Sequence, residues 1–91
     1  MFYDIYVIES IKNRNLYIGY TRNISHRLKE HNQGLNFSTK SDIPWKLIYY
    51  EACLNADDAK RREKYLKTSQ GRRLLKRRLK EYFYSKKNLT P

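Results

Sequence analysis

Five side chains whose types and spacing could act together on a phosphodiester lie in the first two thirds of the chain. Two of them are the phenols of Tyr6 and Tyr17. Arg27 and His31, one helical turn apart, add a guanidinium and an imidazole, and Glu63 adds a carboxylate. A guanidinium binds phosphate oxygens, a carboxylate holds a hard cation such as Mg²⁺, and phenols and imidazoles orient or transfer protons. Together these groups predict hydrolysis of a phosphodiester bond.

The distribution of charge indicates which polymer would contain that bond. The 91-residue chain has a net charge of +11. Residues 1–59 contain seven Lys/Arg and seven Asp/Glu, whereas residues 60–91 contain thirteen Lys/Arg and two Asp/Glu. Such a concentration of cations attracts polyanions and releases their counterions on contact. We therefore expect DNA or RNA as the partner, ahead of an anionic membrane surface or a ribosome-like RNA contact.

Length and composition limit the architecture that can position these groups. The length predicts a single domain over residues 1–85, followed by a frayed tail over residues 86–91. Cys53 is the single cysteine, which excludes an intrachain disulfide and favours a reducing compartment. No apolar run approaches the roughly 18 residues of a membrane span. Asp4 and Glu9 lie where a signal peptide would be basic and then apolar. The prediction is a cytoplasmic protein without a membrane partner.

Three strands are predicted from runs of aromatic and β-branched residues. They cover residues 2–9, 16–20 and 45–51. The first two are joined by the turn-forming residues 12–15 and should pair as an antiparallel hairpin. The first strand is apolar on both faces, which is typical of a central strand.

Three helices are predicted between and after these strands. Asn23 and Gly34 fit the start and the end of a helix over residues 24–33, and Asn55 fits the start of one that runs to about residue 67. Residues 69–71 interrupt the pattern, and a third helix covers residues 72–84. The order is ββαβαα: an α+β domain with a mainly antiparallel three-stranded sheet covered by helices.

The third predicted helix carries much of the positive charge on its outer face. Its cations should contact backbone phosphates, which adds affinity and position but no reading of base sequence. The side chains that we expect to bind nucleic acid are Arg72, Arg73, Lys76, Arg77 and Lys80.

These motifs resemble those of a GIY-YIG nuclease domain. Asp4-Ile5-Tyr6 matches its first motif at the tyrosine, and Tyr17-Ile18-Gly19 reproduces the second motif in full. Arg27 and His31 match the family positions on the first helix, and Glu63 matches the metal-binding glutamate. The likeness is strongest over residues 17–31 and covers about residues 2–85. In particular, the chain is similar to the small single-domain members related to the C subunit of the bacterial repair excinuclease.

The resemblance implies a metal-dependent endonuclease that hydrolyses DNA phosphodiester bonds, in DNA repair or recombination. It implies that Glu63 holds Mg²⁺ or Mn²⁺ and that Arg27 clamps the phosphate oxygens. Tyr6 or Tyr17 would orient or deprotonate the attacking water, and the roles of the two tyrosines stay open. His31 would act as a proton relay.

Three departures from the family pattern bear on catalysis. Asp4 replaces the glycine of the first motif, Leu75 lies where many larger members have an asparagine, and residue 20 is Tyr where some repair members have Lys. They keep open an alternative from another class: a DNA- or RNA-binding module on the same fold that does not cleave. A structural subunit that docks on an acidic protein is a further alternative.

The candidate residues also have purely structural interpretations. Two tyrosines on neighbouring strands are compatible with sheet packing alone. Because Glu63 falls on a helix stripe expected to be buried, it needs either a metal ion or an ion pair, for which Arg27 is a candidate. A zinc site formed by His26, His31 and Cys53 is disfavoured, because the two histidines lie on diverging faces of one helix.

Overall fold

Three strands form one antiparallel sheet in the order β2-β1-β3 in the computed structural model, which describes residues 1–88. They are β1 (Tyr3–Ser10), β2 (Leu16–Thr21) and β3 (Trp45–Cys53). The β1 strand pairs with a neighbour on each side, so it is central, as its apolar faces predict. The register places Tyr6 opposite Gly19 of β2 and Tyr50 of β3.

Four α-helices and one 3₁₀ turn complete the described fold. They are α1 (Ile24–Asn32), the turn Lys40–Asp42, α2 (Ala56–Leu66), α3 (Ser69–Arg78) and α4 (Lys80–Asn88). The side chain of Asn23 accepts a hydrogen bond from the His26 N–H at the start of α1, and Asn55 does the same for two N–H groups of α2. Both asparagines therefore cap the helices that they were predicted to start.

The helices cover the two faces of the sheet. Since successive residues of a strand face opposite sides, Ile5 and Val7 lie on one face, where they pack with Ala59, Leu66 and Leu75 of α2 and α3. On the other face, Tyr6 and Ile8 pack near α1. This arrangement confirms the predicted fold class: an α+β domain, ββαβαα, with an antiparallel three-stranded sheet.

The C-terminal helical region differs in detail from the prediction. Residues 69–71 do not interrupt the helical structure but form the first turn of α3. The Thr68 side chain caps this helix by accepting a hydrogen bond from the Gly71 N–H. The single helix predicted over residues 72–84 is instead two helices. They are divided at Leu79, whose φ of −106° and ψ of 26° are not helical.

The predicted tail begins inside the last helix. The α4 helix continues to Asn88, three residues beyond the predicted boundary at residue 85. The rest of that tail, residues 89–91, lies outside the described part of the chain. Within residues 1–88, no helix combines the length and the apolar character needed to cross a membrane.

Candidate active site

Tyr6 lies at the centre of the candidate site. It is on the central strand, and its side chain is only 1% exposed. Its ring leans over Gly19 on the neighbouring strand. A Cβ added at Gly19 would lie 2.7 Å from Tyr6 Cε1 and still closer to Cζ and to the hydroxyl oxygen. The glycine of the second motif therefore provides the space that the phenol of the first motif occupies.

His31 projects from α1 into the same buried region. Its Nε2 atom lies 2.8 Å from the Tyr6 hydroxyl oxygen, and the residue is fully buried. The helix thus brings the imidazole to a side chain 25 residues earlier in the chain. A direct hydrogen bond therefore joins Tyr6 and His31 within the predicted group.

Burial controls the protonation of this pair. It raises the pKa of Tyr6 to about 12, partly opposed by a hydrogen bond from Arg27. Burial, assisted by the positive charge of Arg27, lowers the pKa of His31 below its ordinary value. At neutral pH, Tyr6 is therefore a protonated phenol and His31 a neutral imidazole.

Tyr17 completes an aromatic cluster around the histidine. Its ring centroid lies 5.0 Å from that of His31 and 6.3 Å from that of Tyr6. Unlike Tyr6, it is only partly buried. Of the two motif tyrosines, Tyr17 is therefore the one that solvent reaches more readily.

Arg27 lies between the tyrosine cluster and solvent. Its Nη1 atom donates to Glu30 Oε1 at 3.0 Å, and this hydrogen bond is the main cause that raises the pKa of Arg27. Arg27 is also close enough to Tyr6 to lower the pKa of the Tyr6 hydroxyl, and Tyr6 in turn raises the pKa of Arg27. With about a third of its side chain exposed (32%), the guanidinium is charged, oriented and accessible to an incoming anion.

Glu63 approaches the site from the other side of the sheet. It belongs to α2, and its negative charge contributes to the raised pKa of Tyr6, so the carboxylate is within electrostatic range of that hydroxyl. Its Oε2 atom lies 3.1 Å from Lys67 Nζ. The alternative ion pair with Arg27 is not found, because Arg27 pairs with Glu30.

The side chain of Glu63 has features that suit a hard cation. It is 20% exposed, so bound water can reach it. In residues 1–88, no three His, Cys, Asp or Glu side chains converge on one point. A single carboxylate with a water-filled remaining shell is a coordination that Mg²⁺ accepts, whereas structural zinc requires four protein ligands. The donor set therefore fits Mg²⁺ or Mn²⁺ and not a structural zinc ion.

The predicted nucleic-acid-binding cations are all exposed. The α3 helix lies on the sheet face opposite α1, and its cations border two separate cavities. One, of about 520 Å³, also contacts the buried Glu9. The other, of about 660 Å³, contacts Glu51 and Arg62. The five side chains, all exposed, are Arg72, Arg73, Lys76, Arg77 and Lys80.

The sequence analysis did not identify several ion-pair and hydrogen-bond partners of the predicted residues. Glu30 and Lys67 lie three and four residues after Arg27 and Glu63, a spacing that already indicates side-chain pairs on a helix. Thr39 hydrogen-bonds the second ring nitrogen of His31 at 2.8 Å. It lies in the connection between α1 and β3, where no local sequence pattern gives the path of the backbone.

The buried histidine gives the protein a defined pH dependence. Because the pKa of His31 is lower in the folded chain than in the unfolded chain, the unfolded state binds more protons as pH falls through about 6.5. The free energy of unfolding should therefore be highest above this pH and should decrease as the pH falls from 7.5 to 5. Urea unfolding at each pH measures the effect.

A matched variant isolates the histidine in that experiment. In His31→Gln, the decrease between pH 7.5 and 5 should become smaller than in the wild type, even though the variant is less stable at pH 7.5. An equal slope in His26→Gln and His31→Gln would contradict the assignment, because His26 is largely exposed (67%) and should contribute little.

The chain is similar in sequence and fold to known proteins. The family model described as the GIY-YIG catalytic domain matches residues 2–76. The chain is 38% identical over 64 residues to UPF0213 protein CPE1444 of Clostridium perfringens, covering 69% of this chain and 68% of that protein. It is 36% identical over 73 residues to UPF0213 protein SH2523 of Staphylococcus haemolyticus, covering 79% and 88%. The solution NMR structure of UPF0213 protein BH0048 from Bacillus halodurans superposes with a TM-score of 0.51 at 27% identity, covering 82% of each chain.

Proposed function

Because the chain belongs to the GIY-YIG catalytic domain family, we propose that it is a metal-dependent endonuclease that hydrolyses DNA phosphodiester bonds. The observation that supports this most strongly is the cluster formed by Tyr6, Tyr17, Arg27 and His31, with Glu63 in electrostatic range. The family implies a nucleic-acid substrate. DNA as that substrate, and repair or recombination as its context, are parts of the proposal.

Arg27 is the residue that would bind the scissile phosphate. Its guanidinium is held from one side by Glu30 and is partly exposed on the other. A forked guanidinium fits two phosphate oxygens better than an ammonium does. In this role it neutralises charge that develops on the non-bridging oxygens during hydrolysis.

The two tyrosines have different environments and therefore different proposed roles. Tyr6 is buried, its pKa is about 12, and its hydroxyl is engaged with His31. It is suited to fixing the position of neighbouring groups and not to taking a proton from water. Tyr17 is more accessible and lies against the imidazole, so we assign to Tyr17 the orientation of the attacking water.

Glu63 would hold the metal ion. A bound Mg²⁺ or Mn²⁺ would supply Lewis-acid stabilisation of the phosphate and the leaving oxygen. The protein contributes the carboxylate, and Lys67 competes with a cation for the same oxygen atoms. That ion pair is the observation that favours the alternative of a DNA- or RNA-binding module without cleavage.

Nicking of supercoiled plasmid DNA tests the proposal. Wild-type protein should convert supercoiled DNA to open circles with Mg²⁺ or Mn²⁺, and excess EDTA should stop the reaction because the metal site is then empty. Duplex, branched and flapped oligonucleotides should be assayed in parallel. Binding without cleavage of any of them, at any concentration of either metal, would support the non-catalytic alternative and overturn the proposal.

A further inference from the structure

Thr39 is a buried residue that contacts the histidine of the site from the side opposite Tyr6. Its hydroxyl oxygen lies 2.8 Å from His31 Nδ1, and the residue is 1% exposed. The Tyr6 hydroxyl lies at the same distance from His31 Nε2. The imidazole is therefore held between two hydroxyl groups, one on each ring nitrogen.

The loop that carries Thr39 is fastened to the rest of the fold. The Thr39 carbonyl accepts a hydrogen bond from Trp45 Nε1 at 2.9 Å. The Asn32 side chain in turn bonds both the N–H and the carbonyl of Trp45, at 2.6 and 2.9 Å. These contacts connect the end of α1, the loop and the start of β3. The position of the Thr39 hydroxyl is consequently set by backbone and ring atoms and not by a mobile surface segment.

A neutral imidazole carries one ring proton, so the two hydroxyl groups cannot have the same role. In the Nδ1–H tautomer, the ring donates to Thr39 Oγ1 and Nε2 accepts the proton of the Tyr6 hydroxyl. Thr39 can then donate to the Asn36 carbonyl, 3.4 Å away. Every hydroxyl and ring nitrogen of the group has a partner in this arrangement.

The Nε2–H tautomer leaves one buried donor of the same group without a partner. If Nε2 carried the proton, the Tyr6 oxygen would accept from His31. Its own proton would then need another acceptor in a buried position, where an unpaired donor is costly. The arrangement of donors and acceptors therefore favours the Nδ1–H form.

We propose that Thr39 is a positioning residue that holds His31 in its Nδ1–H tautomer, so that Nε2 accepts the proton of the Tyr6 hydroxyl. Its catalytic consequence rests on the proposed nuclease function, but the tautomer itself does not. Thr39 acts only through His31. With Nε2 as acceptor, the buried Tyr6 hydroxyl is fixed in direction.

Nitrogen NMR of the imidazole tests the tautomer directly. The probe is the long-range ¹H–¹⁵N correlation of ¹⁵N-labelled full-length protein at pH 7.5, where protonated and unprotonated ring nitrogens differ in chemical shift. In His26→Gln, His31 is the one remaining histidine of the two in the chain, so its signals are assigned without ambiguity. Nδ1 should be protonated and Nε2 unprotonated. Protonated Nε2 would overturn the proposal whether or not the protein cleaves DNA.

Two substitutions of Thr39 separate positioning from folding. Thr39→Val keeps the shape and removes the hydroxyl that accepts from Nδ1–H, so the preference of His31 for that tautomer should weaken and nicking should fall about 10- to 100-fold, as for residues that orient a metal-ligating histidine. Thr39→Ser restores the hydroxyl and should recover both. An unchanged tautomer in folded Thr39→Val, or equal losses in the two variants, would refute the proposal. If the wild type does not nick at all, the tautomer in the wild type and in the two variants still decides it.

Discussion

Replacing Glu63 by glutamine is expected to lower metal-dependent nicking by about 100-fold or more, which corresponds to about 2.7 kcal/mol of transition-state stabilisation. Glutamine keeps the size of the side chain and removes the negative charge that would hold the cation. The fold should be little affected, because the ion pair that is lost, with Lys67, is partly solvent-exposed, and such pairs contribute little. Initial rates of plasmid nicking at saturating Mn²⁺ measure the effect, with DNA binding measured separately.

Lys67→Gln is the matched control for that experiment, and its effect should have the opposite sign. It removes the cation that lies 3.1 Å from the Glu63 carboxylate but leaves the carboxylate itself. With the competing charge gone, half-maximal nicking should require less Mn²⁺. Equal loss of activity in both variants would indicate that the ion pair, and not metal binding, is what the site needs. Full activity in Glu63→Gln would exclude this carboxylate as the metal ligand.

The strands and the helix starts could be predicted because their signals are local. Asn23 accepts a hydrogen bond from the N–H of the third residue after it, and Asn55 accepts from the N–H groups of the second and third. The central position of β1 follows from apolar residues on both of its faces, since an edge or a one-sided strand would alternate with polar residues. None of these inferences depends on how distant segments pack.

The start of α3 could not be predicted in the same way. Ser69 and Gly71 have modest and poor helix propensity, so this short segment indicates an interruption. In the fold, the Thr68 cap and the close packing of Gly71 on α2 outweigh that preference. Propensity is a weak prior when tertiary contacts oppose it.

In the candidate site, too, the features with local sequence signals could be predicted, and those that depend on long-range packing could not. Residue types and motif spacing were enough to nominate Tyr6, Tyr17, Arg27, His31 and Glu63. The ion pairs that Arg27 and Glu63 make are also readable from helical spacing, although they were not predicted. The contact between His31 and Thr39 is different, because it depends on the path of a loop whose sequence contains no periodic pattern. Long-range packing therefore decides which hydroxyl completes the site.

Gly71→Ala is expected to destabilise the protein by about 2 kcal/mol or more, although alanine is the better helix former. Within a helix, alanine is favoured over glycine by about 1 kcal/mol. Here a Cβ would lie 2.5 Å from Leu66 Cα and 2.8 Å from the Tyr65 carbonyl carbon. These are backbone atoms at the C-terminal end of α2, so no side-chain rotation relieves the contact. Overpacking costs about 1–3 kcal/mol and occasionally more, and a clash with backbone belongs at the upper end.

Thermal unfolding measures whether the clash with the α2 backbone outweighs the better helix propensity of alanine at position 71. For a domain of this size, a loss of about 2 kcal/mol lowers Tm by about 8–16 °C. Gln70→Ala is the matched control, because the neighbouring position is exposed on the same helix and its replacement should change stability by less than about 0.5 kcal/mol. A Gly71→Ala variant as stable as Gln70→Ala would show that α2 and α3 are farther apart than described. Since α2 also carries Glu63, separation of the two helices would change the support for the carboxylate, and Gly71 thus links the packing of the basic α3 helix to the candidate metal ligand.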